Sequence, residues 1–283
     1  MQHETDEQAL QGDRGKEFQL PPEFLSMRNV DIARGQNVVL RDVNLSIASG
    51  EHIAILGPNG CGKSTLIKAM TCECYPIVRA GMVMKVYGRD RWEVQELRKH
   101  LGVVATELPG ERTSVTRGVD AVVSGFFASS TLWPNLLVTE SMRSSALEAL
   151  DLLDAGYLRD RWVGEMSAGE KRRVMIARAL VHRPQMLLLD EPSNALDLAA
   201  QRELREILRD VAAGSATRRG TGMVMVTHHL ADILPEIDRV VMMRGGRIVA
   251  DGPKQELLQA SRLQELFGVP LELTECNGYW HSW

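Results

Sequence analysis

Nowhere does this chain carry an apolar run approaching the roughly 18 residues that a membrane span needs. Its first residues, MQHETDEQALQGDRGKE, lack the apolar core of a secretory signal. Residues 1–20 are charged and poor in large apolar side chains, which reads as a disordered segment. Together these absences predict a soluble, cytoplasmic chain whose route to a membrane runs through a partner on the inner face. Excess charge of one sign is missing as well. There are 33 basic residues against 37 acidic ones, a formal net charge of −4. That leaves no electrostatic footprint for a nucleic acid. Cysteine is scarce, with four residues at positions 61, 72, 74 and 276. Cys72-Glu73-Cys74 is too short a pattern for a complete metal site, and no histidine cluster completes it. Reduced thiols are the expectation.

What is present is concentrated in short stretches. Residues 57–65 read GPNGCGKST. They fit the phosphate-binding pattern G-x-x-x-x-G-K-[ST], with Gly57, Gly62, Lys63 and Ser64 at the fixed places. The run His52 to Leu56 is short and apolar, as a buried parallel strand should be. The run Leu66 to Met70 suits a helix. Strand, glycine loop, helix is the context that this motif requires. Gly57, Pro58, Asn59, Gly60, Cys61, Gly62, Lys63, Ser64 and Thr65 would then cradle phosphate oxygens with backbone N–H groups at a helix N-terminus. Lys63 is expected to reach the β- and γ-phosphates, and Ser64 to ligate magnesium.

A second apolar run, Leu187-Leu188-Leu189, ends in Asp190 and Glu191. In an open α/β sheet, ligands bind beyond the carboxyl ends of the strands. Asp190 is therefore placed to hold magnesium. Glu191 is the candidate general base for an attacking water, a role typically worth about 10²–10⁴-fold.

Residues 166–170 read MSAGE, followed by KRRVMIARAL, and residues 186–192 read MLLLDEP. With the phosphate loop, this set resembles the ATP-binding cassette ATPases, from about Leu25 to about Asp251. Their signature, LSGGQ, appears here with Ala168 for a glycine and Glu170 for the glutamine. Ser167 and Gly169 are kept. The resemblance implies that these two meet the γ-phosphate of an ATP held by another subunit. Ser167 opens a helix, read here as Glu170 to Leu180, whose N-terminus turns a positive dipole outward. Ser193 to Asp197 resembles the family's D-loop, with Asp197 as its acid; Asp197 also reads as a helix N-cap. His228, at the end of the strand Val224 to Thr227, resembles the switch histidine.

Two departures stand beside these agreements. The family stacks adenine on an aromatic residue at a position that falls here on Arg34. An arginine plane can stack on a base, and a solvated loop arginine is the other reading. The family's magnesium-ligating Q-loop glutamine falls on Thr106, beside Glu107. The Thr106-Glu107 region, the Val122 to Phe127 segment and the stretch from Thr227-His228-His229 through Pro235-Glu236-Ile237 resemble one branch, each half of the tandem cassette proteins associated with molybdenum transport. One phosphate loop and one signature make this chain a single-cassette relative of it.

The expected fold is α/β, a P-loop NTPase core of this type with an antiparallel β subdomain and a helical insertion carrying the signature. The domains expected are a disordered segment over 1–20, the ATPase over 22–252 with its insertion at about 109–172, and a tail over 253–283. Within the insertion, Leu147, Leu150 and Leu153 are expected to share a packed face. In the tail, Asn277-Gly278 offers a hairpin turn. The resemblance implies an ATP- and magnesium-dependent ATPase that pairs as a homodimer or with a second ATPase subunit, and no nucleic acid. One reading is the energising subunit of an importer of an oxyanion or metal chelate, working with a separate transmembrane permease. The other is a soluble ATPase of stress response, repair or regulation without a membrane partner.

Overall fold

The computed structural model describes residues 20–105, 111–129, 132–214 and 220–283. The expectations for residues 1–19, Thr106 and Glu107 fall outside these. A six-stranded sheet forms the centre, in the order β5-β6-β7-β3-β8-β9. Its members are β5 (Leu101–Val104), β6 (Met186–Asp190), β7 (Gly222–Thr227), β3 (His52–Leu56), β8 (Arg239–Arg244) and β9 (Arg247–Pro253). All pair in parallel except β9, which returns antiparallel along β8. The central strands β6 and β7 are buried at every position. Both faces are covered, which is why these strands read as unbroken apolar runs rather than alternating ones.

Alternation survives in where each side chain goes. Ile53, Ile55, Leu188, Val224 and Val226 join a core with the phosphate-loop helix and the antiparallel sheet. Their neighbours Ala54, Leu56, Leu187, Leu189, Met223 and Met225 join a second core under the helical segments. The antiparallel sheet runs β2-β1-β4, from β1 (Glu23–Arg34), β2 (Asn37–Ala48) and β4 (Val83–Val86). The segment Val38 to Ile47 thus lies on an edge strand. A small hairpin of β10 (Leu273–Cys276) and β11 (Tyr279–Ser282) ends the chain. Asn277 and Gly278 turn it with φ of 52° and 80°, the paired positive values of a type I′ turn. No described helix is long and apolar enough to cross a membrane.

Two sequence expectations shift. The signature helix spans Ala168–Leu180, two residues longer at its start than read, because Ser167 caps it and Glu170 closes a capping box. In the helix Glu140–Leu152, Leu150 is buried and Leu153 is buried just beyond its end, but Leu147 is 37 % exposed. Steps of i, i+3, i+6 drift by about 120° around a helix. The packed stripe is instead Ala146, Ala149, Leu150 and Leu153.

Candidate functional site

The strand register brings the motif segments level. Leu56 pairs with Thr227 across β3 and β7, and Asp190 pairs with Val226 across β6 and β7. The residues that follow, Gly57, His228 and Glu191, therefore leave the same end of the sheet side by side. Glu191 turns at once into a left-handed conformation, φ 48°, which a non-glycine residue adopts at a cost. Its amide is held there by the Val226 carbonyl at 2.8 Å.

The glycine loop is built by exclusion. A Cβ on Gly57 would stand 2.3 Å from the Met243 carbonyl oxygen. Gly62 has φ 106°, and a Cβ there would meet the Leu40 side chain at 2.6 Å. The helix Lys63–Met70 begins directly after it, with no side chain capping its first turn. Its leading N–H groups are thereby left to an external acceptor. Lys63 is 4 % exposed, and its ammonium donates to the carbonyls of Gly57 at 2.8 Å and Pro58 at 3.1 Å. Ser64, Asn59 and Gly60 are exposed, Pro58 is half-buried, and Cys61 and Thr65 are buried. Burial pushes the Cys61 thiol up, against the nearby charge of Lys63.

Two charged or titratable groups converge on one carboxylate oxygen. Glu191 Oε1 lies 3.5 Å from Lys63 Nζ and 3.1 Å from His228 Nδ1. The His228 ring sits against His229, with centroids 3.9 Å apart. Asp190, 8 % exposed, precedes Glu191 at the end of β6. Behind it is Arg172, whose guanidinium donates to the Ala105 carbonyl at 2.7 Å. Burial lowers the pKa of Arg172, and the charge of Asp190 opposes that. Ser64 and Asp190 supply hard oxygen donors, one hydroxyl and one carboxylate. That chemistry suits magnesium, which keeps water and phosphate oxygens for its other positions.

The remaining sequence candidates stand apart. No hydrogen bond or ion pair among the described residues joins Ser167, Gly169 or Asp197 to Lys63 or Glu191. Ser167 is exposed, and its hydroxyl accepts from the Glu170 amide at 3.2 Å while Glu170 Oε2 accepts from the Ser167 amide at 2.8 Å. Burial alone would raise the Glu170 carboxyl; the Ser167 bonds and the Arg161 charge outweigh it and hold the group below its ordinary value. The acid in place of the expected glutamine thus serves the cap. A Cβ on Gly169 would come within 3.1 Å of Ala200 Cβ. Asp197 caps the helix Leu198–Ala212 by accepting from the Ala200 amide at 2.8 Å. Arg34 is exposed at the end of β1, paired with Asn37 across the turn.

Sequence reasoning passed over Asp232, a buried acid in the stretch LADIL that accepts from both Ser193 and Thr227. A lone acid among apolar residues just after a candidate switch histidine was the available signal.

The model of the ABC transporter family matches residues 40–194. A hemin import ATP-binding protein of Streptomyces coelicolor is 34 % identical over 84 % of this chain and 81 % of its own length. Among solved structures, a Clostridium perfringens protein that is part of an ABC transporter complex superposes with a TM-score of 0.70 at 24 % identity, over 87 % of this chain and 94 % of that one. A dimeric ATP-binding cassette in a post-hydrolysis state, bound to ADP and Pi, gives a TM-score of 0.65 at 24 % identity, over 81 % and 98 %.

Proposed function

The chain belongs to the ABC transporter family and is one of its ATP-binding ATPases; from that premise we propose that it energises an importer, cleaving ATP between two copies of itself. The observation that carries the reading is the meeting of Lys63, Glu191 and His228 at the carboxyl end of the sheet. Lys63 now spends its protons on loop carbonyls. The γ- and β-phosphates would draw that ammonium forward, since a charge-assisted bond to phosphate is stronger than one to a neutral carbonyl. Glu191 is released from Lys63 by the same movement. It then takes a proton from the attacking water, and His228 orients the pair through its 3.1 Å contact and meets the γ-phosphate.

Ser64 and Asp190 would hold magnesium, which supplies charge neutralisation at the bridging and terminal phosphate oxygens. Thr106 would add a hydroxyl from its own segment. Arg34 would stack on adenine. Ser167 is exposed at its helix start, and among the described residues neither it nor Gly169 bonds to Lys63, which supports the reading that they serve the partner's ATP. Asp197 would end the segment that crosses between copies.

For cargo, the hemin import relative supports a metal chelate. The likeness of residues 122–127 to the molybdenum-associated branch supports an oxyanion. A separate transmembrane permease completes either transporter.

The test is the Glu191→Gln variant, which keeps shape but cannot take the proton. It is expected to run as a dimer with ATP and magnesium in light scattering, and as a monomer with ADP. Adding Ser167→Arg places a cation in the γ-phosphate's space and breaks the dimer. ATP-loaded Glu191→Gln protein that stays monomeric at about 10⁻⁵ M, a concentration at which weak transient interfaces assemble, would sink the shared-site mechanism.

A further inference from the structure

Asp232 ends the short turn Leu230–Asp232, directly after the His228-His229 pair. It is 4 % exposed. Among the described residues, no basic side chain pairs with it. A buried carboxylate without a counter-charge is costly unless hydrogen bonds replace its water. Here one oxygen, Oδ2, accepts from Ser193 Oγ at 2.6 Å and from Thr227 Oγ1 at 2.7 Å. Both distances are those of charge-assisted O–H···O⁻ bonds. Thr227 in turn accepts from the His229 amide at 2.9 Å. Its hydroxyl has one proton to give. The carboxylate at 2.7 Å takes it, ahead of the His229 carbonyl at 3.4 Å.

The positions of the two donors matter more than their number. Ser193 lies two residues after Glu191, at the root of the segment that ends in Asp197. Thr227 lies one residue before His228. One oxygen therefore ties together the two backbone segments that carry the contact between Glu191 and His228. Glu191 itself holds a left-handed conformation at φ 48°. Such a conformation persists only where the surroundings over-determine it. The Val226 carbonyl bond to its amide is one restraint, and the Ser193–Asp232 bond is another, two residues on. The turn is backed from outside by the terminal hairpin. Strand β11 packs on Leu230–Asp232, and a Cβ on Gly278 would stand 3.1 Å from Pro235.

We infer that Asp232 is a positioning residue: by clamping the hydroxyls of Ser193 and Thr227 on one oxygen, it sets the placement of Glu191 against His228 for hydrolysis. The inference rests on the roles proposed above for those two residues. Asp232 acts through Ser193 and Thr227, whose hydroxyls it holds. Its effect is geometric, and a displacement of about 1 Å at a reacting group costs on the order of 10²-fold in rate. Nucleotide affinity, set by the phosphate loop on another strand, stays as it is.

The experiment compares steady-state ATPase activity and ATP binding in Asp232→Ala, Ser193→Ala, Thr227→Val and Thr227→Ser, with Glu191→Gln beside them. Expected for Asp232→Ala is a kcat lowered on the order of 10²-fold. For Ser193→Ala and Thr227→Val, each missing one hydroxyl, kcat falls about 10-fold. In all three, the Kd for ATP stays within about twofold of wild type, well under the change in rate. Thr227→Ser keeps the hydroxyl and restores kcat, which a pure packing role for the methyl would not allow. If Asp232→Ala fails to fold, the two hydroxyl deletions carry the test alone. Unchanged kcat in Ser193→Ala and Thr227→Val, with Glu191→Gln inactive, overturns the clamp and leaves the proposed chemistry standing. An equal fall in kcat and affinity also overturns it, as a merely structural effect. A Glu191→Gln protein that still turns over ATP removes the earlier reading instead.

Discussion

At the scale of single residues, a lysine and a histidine meet at one oxygen of a glutamate. Lys63 satisfies itself on two carbonyls of its own loop, so the buried ammonium is never without partners. Arg34 is the residue whose role the fold leaves most open to measurement, being exposed at a hairpin end. If its guanidinium stacks on the base, Arg34→Ala weakens ATP and GTP alike, because stacking tolerates base identity. A cation–π contact at an exposed site is worth about 0.5–1 kcal/mol, so titration calorimetry should show Kd raised a few-fold for both. Equal affinities before and after the substitution would leave Arg34 as a solvated loop residue.

At the scale of elements, what was legible in the sequence was local. The phosphate loop and the Ser167 cap each depend on residues within a few positions of one another. Strand–loop–helix and helix-start patterns follow from such neighbours alone. The stripe on Glu140–Leu152 was misjudged at one position, because the helix has no intrinsic inside. Leu147 and Leu150 differ only in which neighbour the fold places beside them. Leu150→Ala removes a fully buried side chain and should cost about 2–5 kcal/mol. Leu147→Ala, at a 37 % exposed position, should stay within about 0.5 kcal/mol. Urea midpoints of the two variants at constant slope decide it. A Leu147 variant as unstable as the Leu150 one would mean that the helix packs with a different face.

At the scale of the whole molecule, the glycine loop and the signature stand on separate elements, and among the described residues no hydrogen bond or ion pair joins Ser167 or Gly169 to Lys63. The proposed sharing of one site between two copies has a thermodynamic consequence. Ligand that binds only the folded pair stabilises it by mass action. The melting temperature of Glu191→Gln with ATP and magnesium should therefore climb as protein concentration rises. Wild type with ADP should melt at one temperature throughout. A flat curve for the ATP-loaded variant would show that a single copy holds ATP unaided.

The sequence by itself determined the family, the α/β class, the glycine loop between strand and helix and the two carboxylates after a buried strand. Each of these is written in residues adjacent along the chain, where spacing is geometry. Only the tertiary structure decided which of them meet. The parallel register of β3, β7 and β6 sets Lys63 and His228 around one oxygen of Glu191. The same register lets Asp232 reach back 39 positions to Ser193. Hydrogen bonds of that span have no periodicity to betray them. They exist because strands distant in sequence lie side by side and end together.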